Sequence, residues 1–170
     1  YGGIQAIQTL WAGPWMLNIT GYTPLESATG LFWINITMLI SYFIWGYILP
    51  KISEYGVSSV KLIKLGLPIS YFSLFLIIYF GNNSGAFLFT IYIVTSIVIS
   101  LTQPAIALNF SKNLAGKSLT SYNVFLFSGT FFIQWGIGLV IDFCSNRGFD
   151  VLSSYRTVSY THLTLPTMIG

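Results

Sequence analysis

Polar side chains recur at helical spacing near the start of this 170-residue chain. At 100° per residue they fall within about 140° of arc on one face of a helix. Amide and indole groups bind other molecules through hydrogen bonds, so this face is predicted to line a polar cavity. The side chains concerned are Gln5, Gln8, Trp11, Trp15 and Asn18.

Ionisable and nucleophilic residues are sparse. The chain has seven Lys and Arg, four Asp and Glu, one His and one Cys. A lone cysteine can form neither an intrachain disulfide nor a metal cluster. Acid–base or covalent catalysis would have to use Glu54, Asp142, Asp150 or Cys144, and none has an evident partner. We therefore expect no enzymatic activity, no cofactor and no metal.

The elements that position these side chains follow from the charge distribution. The charged residues cluster, and the uncharged stretches between the clusters are long enough to cross a bilayer, since about 20 apolar residues span ~30 Å of hydrocarbon. We predict an all-α, polytopic transmembrane helix bundle and hence an integral membrane protein. Its transmembrane domain would cover residues 1–156, with spans at about 3–20, 30–49, 62–80, 86–108 and 119–141.

Proline and glycine predict where these helices bend, end and meet. Gly13-Pro14 predicts a kink in the first span, and Pro50-Lys51 predicts the end of the second. The sequence 81–85, Gly-Asn-Asn-Ser-Gly, predicts a turn between the third and fourth spans. Three glycines of the fifth span are expected to allow close helix approach, namely Gly129, Gly136 and Gly138.

Amides within the spans have two interpretations. An intramembrane amide either bridges two helices, which stabilises by about 0.6 kcal/mol and up to 1 to 2 kcal/mol, or contacts a solute. Both interpretations remain open for Gln8 and Gln103. The third span contains no Asn or Gln, which sets it apart from the others. The candidate substrate-cavity residues are Gln5, Gln8, Trp15, Asn35, Gln103 and Gln134.

Basic residues predict the orientation of the spans. Lysines and arginines concentrate in cytoplasmic connections. The connections after the second and fourth predicted spans carry five lysines, whereas the opposite side carries Arg147 and Arg156. These two connections are therefore expected in the cytoplasm. The net charge of +3 is not gathered into a patch, so we expect no nucleic-acid partner.

The two ends of the chain differ from the rest. The chain opens inside an apolar run, from which we expect that an upstream part is missing. Residues 157–170 are uncharged, but they are too short and too polar to span, and residues 159–167 look like a translated sequencing adapter. A non-native or disordered tail is expected there, and a natural flexible tail is the alternative. His162 lies within it and supports no functional argument.

Three segments together resemble the C-terminal half of a major facilitator superfamily transporter, over roughly residues 1–156. Residues 8–15, Gln-Thr-Leu-Trp-Ala-Gly-Pro-Trp, are similar to helix seven of several bacterial members, and residues 123–142 are similar to helix eleven. Gly46 and Lys51 match the Gly and Arg of the cytoplasmic loop motif after helix eight, although Pro50 stands at the position of its Asp.

The resemblance implies a secondary transporter that moves a small solute by alternating access, in the bacterial inner membrane. Helices seven, eight, ten and eleven would line the cavity and helix nine would pack outside, in agreement with the amide-poor third span. The implied partners are the solute, the lipid bilayer and the missing N-terminal half, without which we expect no transport. A membrane-embedded lipid-modifying enzyme and a noncatalytic membrane scaffold are the alternatives.

Overall fold

The computed structural model describes residues 1–148, and the predicted all-α fold is confirmed for them, with no strand in this part of the chain. A π-helical turn, Ile7–Trp11, joins α1 to α2, and 3-10 turns at Gly81–Asn83 and Ile97–Leu101 follow α4 and join α5 to α6. The α-helices are α1 (Gly2–Ala6), α2 (Ala12–Asn18), α3 (Pro24–Glu54), α4 (Ser59–Phe80), α5 (Ala86–Ser96), α6 (Thr102–Asn109) and α7 (Lys112–Asn146).

Four helical stretches are long and apolar enough to cross a membrane: Pro24–Glu54, Ser59–Asn83, Ala86–Asn109 and Lys112–Asn146. They identify an integral membrane protein with several spans. The first predicted span, 3–20, falls on the helical stretch formed by α1, the π-helical turn and α2, which is shorter than these four.

Helix α3 is longer at both ends than the predicted span. At its start, Thr23 and Glu26 form a capping box in which Thr23 N donates to Glu26 Oε2 at 2.8 Å. The helix also continues through Pro50, where the prediction placed its end. Proline removes one donor, but the helix ends only before Gly56, whose φ of 78° reverses the chain.

Helix α7 begins at Lys112, so Lys112 and Lys117 lie on the helix and not in a connection as predicted. Its 35 residues extend about 52 Å at 1.5 Å per residue, which exceeds the ~30 Å hydrocarbon thickness. The two lysines can therefore lie beyond the hydrocarbon while the helix stays continuous. Arg147 caps the opposite end of α7, above the ring of Phe143 at 4.5 Å.

Two helical stretches change from α-helical geometry at the same distance before a proline. The π-helical turn ends three residues before Pro14, and the 3-10 turn at Ile97–Leu101 ends three residues before Pro104. Proline offers no N–H to the carbonyl four residues earlier and crowds that carbonyl. The carbonyls concerned belong to Leu10 and Ser100, and each lies inside the irregular turn. Where a kink was predicted at Gly13-Pro14, the structure has a π-helical segment that ends three residues before Pro14.

The helices pack crosswise around one core. Helix α1 packs on α7, α3 packs on α5, and α4 packs on α5 and on the 3-10 turn that follows it. Close approach occurs at glycines other than those predicted: a Cβ on Gly2 would lie 2.6 Å from the Leu126 backbone oxygen. A Cβ on Gly129, Gly136 or Gly138 would meet no described atom within 4 Å. Gly136 and Gly138 therefore face open space, whereas the backbone of Gly129 takes part in the close approach at Gly2, whose Cβ would lie 3.1 Å from Gly129 C.

Candidate functional site

A cavity of about 130 Å³ lies between the two interrupted helical stretches and α3. We call it the amide cavity because three of the predicted amides line it. The π-helical turn and the start of the 3-10 turn both contribute to its wall. The lining residues are Tyr1, Ile4, Gln5, Gln8, Thr9, Asn35, Met38, Tyr42, Ile93, Ser96 and Ile97.

Gln5 and Gln8 offer complementary groups to this cavity. Gln5 Oε1 is buried and has no hydrogen-bond partner among residues 1–148. Gln8 Nε2 donates to the thioether sulfur of Met38 at 2.8 Å, and a thioether is a weak acceptor. Residues three apart share one helix face. The cavity wall thus holds a buried, unsatisfied acceptor beside a donor whose present partner a better acceptor could replace.

Asn35 and Gln134 approach the same region from α3 and α7. Asn35 Nδ2 donates to the Leu31 carbonyl at 2.7 Å, a bond that leaves the amide oxygen available as an acceptor. Gln134 does not line the cavity, but its Nε2 donates at 3.2 Å to Thr9 Oγ1, which does. The first helical stretch is thereby tied to α7 at the rim of the cavity.

Trp15 lies in the core, away from the amide cavity. Its side chain is 5 % exposed and meets Phe89 edge to face, with 6.5 Å between the ring centroids. Its Nε1 donates to Ser84 Oγ at 2.8 Å, across the turn that follows α4. The indole therefore joins α2 to this turn, and we leave Trp15 out of the proposed site.

Replacing Trp15 by Phe is expected to lower stability and to leave solute affinity unchanged. The substitution removes a buried hydrogen bond, which typically costs about 1 kcal/mol, and leaves Ser84 without that donor. Thermal unfolding in detergent would show the lower Tm. A change in the KM for transport without a change in Tm would contradict this assignment.

Gln103 lines a second space of about 410 Å³, which we call the inner groove because it continues toward the lysine-bearing end of α3. Its Nε2 approaches Asn123 Oδ1 at 3.5 Å. Gly46 also lines the inner groove. Lys51 lies beyond it, still within α3, and its Nζ contacts Tyr47 Oη at 2.6 Å. Both residues of the predicted loop motif therefore belong to a helix.

Tyr1 and Tyr42 separate the amide cavity from the inner groove. Each lines both spaces, and their hydroxyl oxygens are 3.2 Å apart. The predicted set of cavity residues did not include this pair or Thr9. For Tyr42 a signal was available, since Asn35, Met38 and Tyr42 are spaced to share one face of α3.

The structure brings no acid–base or metal cluster together in residues 1–148. No group of three or more His, Cys, Asp or Glu residues there could hold a metal ion. Glu54 ends α3, whereas Asp142 and Cys144 lie near the end of α7. Asp150, Arg156 and His162 fall outside the described residues. The amide cavity is therefore suited to bind a solute by hydrogen bonds, with no Asp, Glu, Lys, Arg or His in its wall.

No protein-family model, no curated protein and no solved structure matches this chain. Its function is argued from the cavity and the helices around it.

Proposed function

We propose that this chain forms part of the C-terminal half of a secondary transporter of the major facilitator type, which carries a small solute across the bacterial inner membrane by alternating access. The solute, the lipid bilayer and the N-terminal half of the same protein are the proposed partners. In this assignment, α1 and α2 form helix seven, α3 is helix eight, α4 is helix nine, α5 and α6 form helix ten, and α7 is helix eleven.

The two interrupted stretches are the observation that carries the proposal. Transporters built from inverted repeats form their binding sites where corresponding hydrophobic segments are broken by glycine or proline. Here the breaks at Ile7–Trp11 and Ile97–Leu101 stand in equal register to Pro14 and Pro104. The amide cavity lies between them. In the proposed assignment the first break lies in helix seven and the second lies in helix ten. Each of these is the first helix of its own three-helix repeat.

The crosswise packing also supports two interleaved repeats. Helix α1 packs on α7, which pairs the first helix of one repeat with the second helix of the other. The packing of α3 on α5 is the reciprocal pair. Two repeats that are related by an approximate two-fold axis produce such matching pairs of helices.

The exposed faces of α3 and α7 support the lipid bilayer and a second helical half as partners. In the apolar windows of α3 and α7 only 11% of the residues are buried, against 44% for the stretch Ala86–Asn109. Large apolar side chains cover the open faces of α3 and α7, among them Phe43 and Phe125. Lipid and a second helical half are the surroundings in which such faces can be buried.

Reconstitution tests the proposal. The complete protein that carries this chain should give saturable solute uptake into proteoliposomes, and the 170-residue chain alone should give none, because one half cannot alternate access. A panel of neutral, anionic and cationic solutes should be used. Uptake equal to that of empty liposomes for every solute would overturn the proposal. Chemical turnover of lipid by the reconstituted protein would instead favour the enzyme alternative.

A further inference from the structure

We infer that the amide cavity selects small, uncharged polyols, and that Gln5 and Gln8 bind one hydroxyl group of the solute between them. The inference rests on the proposed function and specifies the class of its substrate. It follows from three properties of the cavity wall: the lack of charged side chains, the oxygens that can still accept a hydrogen bond, and the small volume.

The part of the wall that this chain forms offers an ionic solute no countercharge. None of the lining residues is Asp, Glu, Lys, Arg or His. Burying an ion without a countercharge costs far more than burying a neutral polar group with hydrogen-bond partners. A purely apolar solute is also disfavoured, because it would leave Gln5 Oε1 buried without a donor.

The wall contains several oxygens that can accept a hydrogen bond. Gln5 Oε1 has no partner among the described residues. Ser96 Oγ donates its hydrogen to the Tyr92 carbonyl at 2.6 Å, and Asn35 Nδ2 donates one hydrogen to the Leu31 carbonyl. Both side chains therefore keep an oxygen that can accept a hydrogen bond. A solute that brings several donors complements this wall, and a neutral solute rich in O–H groups does so.

Gln8 adds a donor, so the two amides together match a group that both donates and accepts, as a hydroxyl does. A hydroxyl has one hydrogen to donate and two lone pairs to accept. It can donate to Gln5 Oε1 and accept from Gln8 Nε2, which would exchange its weak bond to the Met38 sulfur for a stronger N–H···O bond. An ether or ketone oxygen would satisfy Gln8 but not Gln5.

The size and the remaining wall favour a small solute with C–H surface. The cavity has a volume of about 130 Å³, against about 410 Å³ for the inner groove. Ile4, Ile93 and Ile97 complete the wall with methyl groups, against which the carbon backbone of a polyol can pack. Glycerol and erythritol fit this description better than a disaccharide.

Competition for erythritol uptake by the complete protein in proteoliposomes tests the inference. Glycerol and xylitol should compete, whereas glutamate, choline and lactose should not. Asn35→Leu should raise the KM for erythritol about five- to tenfold, the effect of losing one neutral hydrogen bond. Asn109→Leu is the matched control: Asn109 makes the same 2.7 Å bond to the carbonyl four residues earlier but lies outside the cavity.

The outcomes separate the inference from the proposed function. Saturable uptake of a charged solute or an amide, without competition by polyols, would overturn the inference and leave transport intact. The absence of saturable uptake of every solute would overturn both. A shift in Tm with erythritol provides a second measurement: it should persist in Asn109→Leu and shrink in Asn35→Leu, and equal shifts in the two variants would contradict the inference.

Discussion

Replacement of both Gln5 and Gln8 by Leu is expected to lower kcat/KM for solute uptake by the complete protein about 10- to 100-fold. Leucine keeps much of the side-chain volume but removes every hydrogen bond. A solute hydroxyl left unsatisfied in an apolar site costs ~1–3 kcal/mol, and 1.4 kcal/mol corresponds to a factor of ten. Initial rates of uptake into proteoliposomes over a range of solute concentrations would measure the loss.

The single variants should not act independently. Because Gln5 and Gln8 are proposed to bind the same hydroxyl, either substitution disrupts that contact, and the double variant should lose less than the product of the two single losses. Asn109→Leu should retain normal uptake, since Asn109 is outside the amide cavity. Fully multiplicative losses would show that the two amides bind separate groups, and unchanged uptake in the double variant would remove both from the site.

Gly66→Ala is expected to destabilise the fold by about 1–3 kcal/mol, which is typical of overpacking. A methyl group at Gly66 would overlap Cγ1 of Val98, which belongs to the 3-10 turn beside the amide cavity. Valine is stiff about χ1 and cannot easily move aside. Helix α4 would therefore shift away from this turn. The Tm in detergent and the yield of monodisperse protein would report the effect.

Two further variants isolate this steric cause. Gly116→Ala adds the same methyl to α7, where no described atom lies within 4 Å, and should be neutral or stabilising by up to about 1 kcal/mol through helix propensity. Adding Val98→Ala to Gly66→Ala should recover part of the lost stability, because it removes the overlapping methyl group. Equal Tm values for Gly66→Ala and Gly116→Ala would contradict the packing at Gly66.

The helices were largely predictable from the sequence because apolar stretches without charge have few alternatives to a membrane helix. Helix ends were less predictable. Pro50 was expected to end α3, yet only one donor is lost there and the helix continues to Glu54. Lys112 and Lys117 were expected in a connection, but charged residues are compatible with a helix that extends past the hydrocarbon.

The cavity was predictable where it depends on spacing along one helix, as for Gln5 and Gln8. It was not predictable where it depends on contacts between distant residues. Trp15 lies on the polar face of the first helical stretch, but its ring is buried in the core, where it contacts Ser84 and Phe89. The glycines of α7 show the same limit, because sequence does not reveal whether a small residue faces a neighbouring helix or open space.

Cysteine accessibility at Met38 tests most directly the central claim that the amide cavity opens alternately to the two sides of the membrane. Met38→Cys would be introduced into the complete protein without other cysteines, with Cys144 replaced by Ala, and treated with a membrane-impermeant maleimide in oriented vesicles. We expect labelling from either face, at rates that the transported solute changes. Labelling from one face only, under every condition, would contradict alternating access.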